Sequence, residues 1–217
     1  MNLFDKNVEK LNIIDSHDRI KTPLGDIFFS VNYGVYSITT MSGYKTQILK
    51  ENTILRWEND SLEAELLTHA PTINIPDGMS VDNCIAVAWR VRAKKAISTP
   101  VEFNCIWNNN YLWNNYGANS GEFLDAQTWD NGIHFVTIGT EDGEYIQIRA
   151  MMDRMIPKCL KSKVDLGLVQ YSKLGLSVPV PSIAENEICH IQFVISWGNS
   201  EIATWYAAGV TTDELFR

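Results

Sequence analysis

The chain has 217 residues, 45% of them hydrophobic and 20% charged, with a net charge of −8. That balance supports a buried core and excludes a disordered chain. The acidic excess excludes a nucleic-acid binder, whose phosphate affinity comes from clustered Lys and Arg. It suits a neutral or cationic partner, or solubility alone. The opening residues lack the basic-then-apolar pattern of a leader peptide, and no apolar run approaches the roughly 18 residues of a membrane helix. A cytoplasmic protein with no transmembrane segment is the default expectation, and a secreted protein shorn of its leader is the alternative.

In chain order, residues 7–14 suit a short helix, and period-2 alternation dominates from Asp26 onward. Strands are expected at 27–31, 35–40, 46–49 and 53–57. Residues 62–67 read as a strand, although Leu62, Glu63, Ala64 and Glu65 are also good helix formers. Residues 84–91 place Ile85, Val87, Trp89 and Val91 on one face and Ala86, Ala88, Arg90 and Arg92 on the other. Residues 101–107 set Val101, Phe103, Cys105 and Trp107 against Glu102, Asn104 and Ile106. A connection is expected at 108–116 and a loop at 121–131.

Residues 133–138 and 145–150 read as a hairpin closed by Glu141-Asp142-Gly143, because Asp-Gly tolerates positive φ. Residues 151–163 hold a helical turn or two broken at Pro157. Its basic residues are interleaved with Met151, Met152 and Met155, which are expected to cap the core. Residues 167–180 contain a further extended segment. Residues 189–197 alternate clearly, with Cys189, Ile191, Phe193, Ile195 and Trp197 inward and His190, Gln192 and Ser196 outward. A turn at 198–200 then suggests a hairpin partner at 202–206, and Thr211 to Glu214 matches a capping box.

About ten strands with little helix, and no linker or repeat, predict a single all-β domain over 1–217. It is an antiparallel two-sheet sandwich of jelly-roll type, with a closed barrel as the alternative. Cys84, Cys105, Cys159 and Cys189 lack Cys-x-x-Cys spacing and read as packed thiols; a Cys84–Cys189 disulfide belongs to the secreted alternative.

The stretch from Phe103 to Tyr116 carries six asparagines and five aromatics and no charge. Flat rings cover the apolar faces of sugars, and amides both donate to and accept from hydroxyls. Tyr111, Trp113 and Tyr116 are therefore candidate stacking rings. Asn108, Asn109, Asn110, Asn114 and Asn115 are candidate hydrogen-bonding partners, and Arg90 and Gln192 are contributors from a polar sheet face. Gln147 and Arg149 join that face if 145–150 is a strand. His190 is the best acid–base group, with Glu102 to orient it across strands.

No cofactor is expected. Calcium is the minor alternative, at Glu122, Asp125 and Asp130 or at Glu141, Asp142 and Glu144. No nucleophile elbow, phosphate loop or metal-ligand spacing is present.

Three readings follow. The first is a binding module for a neutral polar ligand, a glycan above all. The second is a small-molecule isomerase, cyclase or lyase with a cleft between the sheets. The third is a structural or interaction subunit, such as a homo-oligomer, of a larger assembly.

Overall fold

A computed structural model describes residues 19–39, 45–49, 52–121, 123–161 and 167–214. The helix expected at 7–14 lies outside these residues. The chain forms two antiparallel sheets that face each other as a sandwich, with no closed barrel.

The smaller sheet contains β1 (Ile20–Thr22), β2 (Gly25–Tyr33), β3 (Tyr36–Thr39), β8 (Val101–Trp107), β12 (Gln170–Ser172) and β13 (Gly175–Val180). Its order is β1-β2-β8-β13-β12, with β3 also on β2. The larger sheet contains β4 (Lys45–Leu49), β5 (Asn52–Glu58), β6 (Leu62–His69), β7 (Asn83–Ala93), β9 (Asn115–Gly121), β10 (Leu124–Asp130), β11 (Phe135–Glu141) and β14 (Ile188–Gly198). Its order is β4-β5-β6-β7-β14-β11-β10-β9.

Alternation explains the pairing. On β14, Cys189, Ile191, Phe193 and Ile195 register with Val91, Trp89, Val87 and Ile85 of β7, so both rows enter the space between the sheets. Trp57, Trp89, Trp107 and Trp129 fill that space, with ring centres 5.3 Å apart for Trp57–Trp89 and 5.7 Å for Trp107–Trp129. Residues 62–67 are strand: Leu62, Ala64 and Leu66 are buried at every second position, and their burial outweighs the local helix propensity.

Two expected hairpins are corrected. Residues 145–150 belong to helix α1 (Gly143–Met151), not to a strand. Asp142 is extended, and its Oδ1 accepts the Tyr145 N–H at 2.6 Å. The Asp-Gly pair thus caps a helix instead of turning a hairpin. Residues 202–206 belong to helix α2 (Glu201–Glu214). Ser200 Oγ accepts the Ala203 N–H at 3.4 Å, and Ala203, Ala207 and Ala208 are fully buried. A small-residue face at helical spacing lets α2 lie close on the sheet. It packs on Leu124, Ala126 and Val194. A Cβ at Gly121 would come within 2.4 Å of the Trp205 ring, which shows how close the helix approaches.

Thr211 and Thr212 therefore sit in the last turns of α2, not at a helix start. The loop expected at 121–131 is strand β10. Residues 151–163 contain the end of α1 and a 3₁₀ turn at Lys158–Leu160. Met151, Met152 and Met155 are exposed, and Ile156 and Leu160 supply the core contacts expected of them. All four cysteines are free. Cys84 registers with Ser196 and Cys189 with Val91, so the two thiols are far apart on opposite faces of the same sheet and cannot bridge. Burial pushes the Cys84 thiol up to about 12. Among the described residues, no helix is long and apolar enough to cross a membrane.

The β12–β13 hairpin is seated by Gly175, whose φ is +150° and whose added Cβ would lie 2.1 Å from the Cys105 carbonyl oxygen on β8. Gly175→Ala should lower stability by on the order of 3 kcal/mol, seen as an earlier denaturant midpoint. An unchanged midpoint would mean that β13 does not approach β8 this closely.

Candidate functional site

The connection from Asn108 to Asn114 is pinned by its backbone. The N–H groups of Asn108, Leu112 and Asn114 donate to the carbonyls of Asp26, Leu24 and Asp130 at 2.9, 2.8 and 3.0 Å. This holds Trp113 against the sandwich end. Tyr111 stacks on Trp113 at 4.0 Å, Tyr116 meets it edge-on at 5.8 Å, and Trp107 and Trp129 lie 6.4 Å away. Trp113 is the hub and is buried (6% exposed), Tyr111 is partly buried, and Tyr116 is half exposed (51%). Lys173 holds its ammonium 5.6 Å from the Trp113 ring centre and 5.8 Å from that of Tyr111.

Asn115 and Tyr116 are strand residues on β9, not loop residues. β9 is the last strand of the larger sheet, and the β12–β13 hairpin covers its neighbour β10. Trp129 Nε1 donates to the Lys173 carbonyl at 3.0 Å, and Tyr171 Oη donates to Asp125 Oδ1 at 2.5 Å. Among the described residues, no strand of the smaller sheet pairs beyond β12, so β9 overhangs. Tyr116 registers with Trp129 and Ala118 with Gln127, placing both on the inward side, yet both are exposed.

The result is an open ledge. Tyr116 and Ala118 form its floor and the β12–β13 hairpin its wall. Asp125 and Tyr171 lie along one end, and Lys173 and Asn114 along the other. Gln127 sits in the inner row between Asp125 and Trp129, buried, and its Oε1 has no partner. Burial pushes the Asp125 carboxyl above its usual range against the opposing hydrogen bond from Tyr171. Burial and the Asp125 carboxylate push the Tyr171 phenol up. Asn109, Asn110 and Asn114 are exposed, and their side-chain amides make no hydrogen bond among the described residues. Asn108 accepts from the Asn109 N–H at 2.8 Å, and Asn115 donates to Asp130 at 3.3 Å.

The polar sheet face expected from the sequence does not assemble. Glu102 lies on the outer face of the smaller sheet and His190 on the outer face of the larger one, so Glu102 cannot orient His190. Arg90 pairs with Glu65, which also takes Arg56 at 2.7 Å. Gln192 is buried beneath α2 and donates to the Thr212 carbonyl at 3.4 Å. Gln147 and Arg149 lie on α1, where Arg149 forms a fully buried ion pair with Glu141 at 2.5 Å.

Of the acidic groups weighed for calcium, Asp142 caps α1, Asp130 accepts from Asn115 and Gly132, Asp125 accepts from Tyr171, Glu141 pairs with Arg149, and Glu122 lies outside the described residues. Among the described residues, no group of three or more His, Cys, Asp or Glu is arranged to hold a metal ion. A cavity of about 290 Å³ opens at the sandwich margin, lined by Pro100, Gly143, Gln147, Leu160, Pro179 and Pro181. Its described lining offers no acid–base side chain. Between the sheets, Trp57, Trp89, Trp107 and Trp129 are packed into the core.

Two outcomes follow from these placements. Trp113→Ala removes the hub of a buried ring cluster and should cost about 3–5 kcal/mol of stability, while Tyr116→Ala costs less than about 1 kcal/mol. Chemical denaturation of the two variants checks this. His190 is held down to about 4 from 6.5 by burial and by the Arg149 and Arg90 charges. The unfolded chain therefore takes up a proton at higher pH than the folded one. The stability this represents is complete above pH 6.5 and drains as pH falls toward 4. That loss is on the order of 2 kcal/mol, and His190→Gln should remove that part of the acid slope in a pH series of unfolding midpoints.

No family model matches the chain, and no curated protein matches it. Among solved structures, it is similar to a bacterial glucoamylase complexed with acarbose, at 10% identity and a TM-score of 0.48, over 90% of this chain and 30% of that one. It is also similar to a human-microbiome protein described as a kojibiose phosphorylase, at 8% identity and a TM-score of 0.47, over 86% and 24% of the two chains. A polysaccharide lyase follows at 7% identity and a TM-score of 0.36, over 84% and 27%. The chain thus spans between 24% and 30% of the length of these proteins, and the reading of the site rests on its own geometry.

Proposed function

We propose that the chain is a binding module for a polar, ring-shaped ligand, a glycan before any other, seated on the β9 ledge. The observation that carries this reading is Tyr116: a half-exposed ring on an inward-facing row, with no strand of the smaller sheet above it among the described residues. A pyranose presents an apolar C–H face to such a ring and hydroxyls around its rim. Trp113 backs the ring and keeps it in place. The uncommitted amides of Asn109, Asn110 and Asn114 rim the ledge and suit hydroxyls, which both donate and accept. Of the three rings expected to stack, Tyr111, Trp113 and Tyr116, Tyr116 takes the role here and Trp113 supports it, and Arg90 and Gln192 leave the site.

A second reading, an interaction subunit, draws on Leu112 and Ile133, which are 69% and 68% exposed in neighbouring turns. Light scattering at micromolar concentration separates the two: a monomer fits the binding module and an oligomer the subunit.

On a glycan array the protein should retain a defined subset of oligosaccharides. Tyr116→Ala should abolish retention while the unfolding midpoint stays within about 1 kcal/mol of wild type. An array with no binder, or full retention by Tyr116→Ala, would remove the proposal.

A further inference from the structure

We infer that the ledge takes an acidic glycan, one whose sugar carries a carboxylate or sulfate, and that Lys173 is the residue that reads the charge. This rests on the ledge being a glycan site, and it departs from the neutral ligand expected from the sequence.

Lys173 occupies the tip of the β12–β13 hairpin, with its backbone carbonyl held by Trp129 Nε1 at 3.0 Å. Tyr116 is the cross-strand neighbour of that same Trp129. The hairpin tip and the exposed ring are therefore adjacent on one face. The Lys173 ammonium lies 5.6 and 5.8 Å from the ring centres of Trp113 and Tyr111. Stacked rings hold the cation in place without neutralising it.

Arg19, Arg56, Arg90, Arg92, Lys94, Arg149 and Lys161 each have a carboxylate partner. Lys173, like Lys95, Arg154 and Lys158, has none within ion-pair reach among the described residues. Of these four, Lys173 is the one set beside the Trp113 and Tyr111 rings, at the edge of the open ledge. A sugar stacked on Tyr116 would present its ring substituents toward the hairpin wall, where an anionic group completes a charge-assisted hydrogen bond. Asp125, at the far end of the ledge, is occupied by Tyr171 at 2.5 Å, and Asp130, nearer the Lys173 end, accepts from the Asn115 amide at 3.3 Å and the Gly132 N–H at 2.9 Å.

The test is calorimetric titration of the folded full chain with three probes. Trigalacturonate carries carboxylates only, a κ-carrageenan tetrasaccharide carries sulfates only, and cellotetraose is neutral. At least one anionic probe should bind tenfold or more tighter than the neutral one, the scale of about 1.4 kcal/mol. Lys173→Met should erase that preference, and added salt should weaken it. Which anionic probe wins distinguishes carboxylate from sulfate. Tyr116→Ala should lose all three probes. If cellotetraose binds as well as both anionic probes, or Lys173→Met keeps the preference, the charge inference fails while the glycan reading stands. If none of the three binds, both fail.

Discussion

The two sheets are unequal in width, and the candidate site exists because of that inequality. Eight strands face a sheet whose path is five strands wide, with β3 sharing an edge with β1. A sandwich buries the inner face of each sheet only where the other covers it. Where β12 ends, the inner row of β9 has no cover among the described residues, and Tyr116 and Ala118 are exposed instead of entering a core. Trp129, the neighbour of Tyr116 one strand in, is fully buried, and the change from buried to half exposed happens across a single strand pairing.

The outer face of the larger sheet is arranged in the opposite sense. Over β10, β11 and β14 it is roofed by α2, so its polar residues are satisfied internally. Thr137 bonds Thr128 and Thr204, both at 2.9 Å, and Thr140 donates to the Gln192 carbonyl at 2.7 Å from the inner row. Over β5, β6 and β7 the same face carries alternating charges, with Glu65 between Arg56 and Arg90, and Glu63 between Arg92 and Lys94. Exposed pairs of this kind add little stability, but like-charge avoidance keeps the strands in register. Neither half is an open floor for a ligand. The proposed recognition surface is therefore at the sandwich end, where the ring cluster and the overhang meet.

Much of this was legible in the sequence. Alternation located β5, β6, β7, β8 and β14 and their inward rows, because a half-buried strand imposes a period of two. The aromatic and asparagine-rich stretch pointed to the end of the molecule where the ledge lies. Two helices were hidden for a physical reason: Ile146 and Ile148, like Ala203 and Trp205, satisfy strand and helix patterns equally over five or six residues, and only the caps at Asp142 and Ser200 tell them apart. β10 was hidden because Leu124 to Trp129 is buried on both faces, which erases alternation. The roles of Trp113 and Tyr116 depend on which strand overhangs. Strand order is a long-range property, so no local pattern announced that Tyr116 is open while Trp113 is the hub. Lys173, Asp125 and Tyr171 were missed for the same reason, since they meet the ledge only through the β12–β13 hairpin.

The most direct measurement is photo-CIDNP spectroscopy with a flavin dye, which polarises only those tyrosine and tryptophan rings the dye can touch. The account requires a polarised Tyr116 and a silent Trp113 in the free protein, with the Tyr116 signal quenched on saturation with trigalacturonate or the κ-carrageenan tetrasaccharide. A polarised Trp113, or a Tyr116 that stays dark in the free protein, would contradict the uncovered ledge and everything built on it.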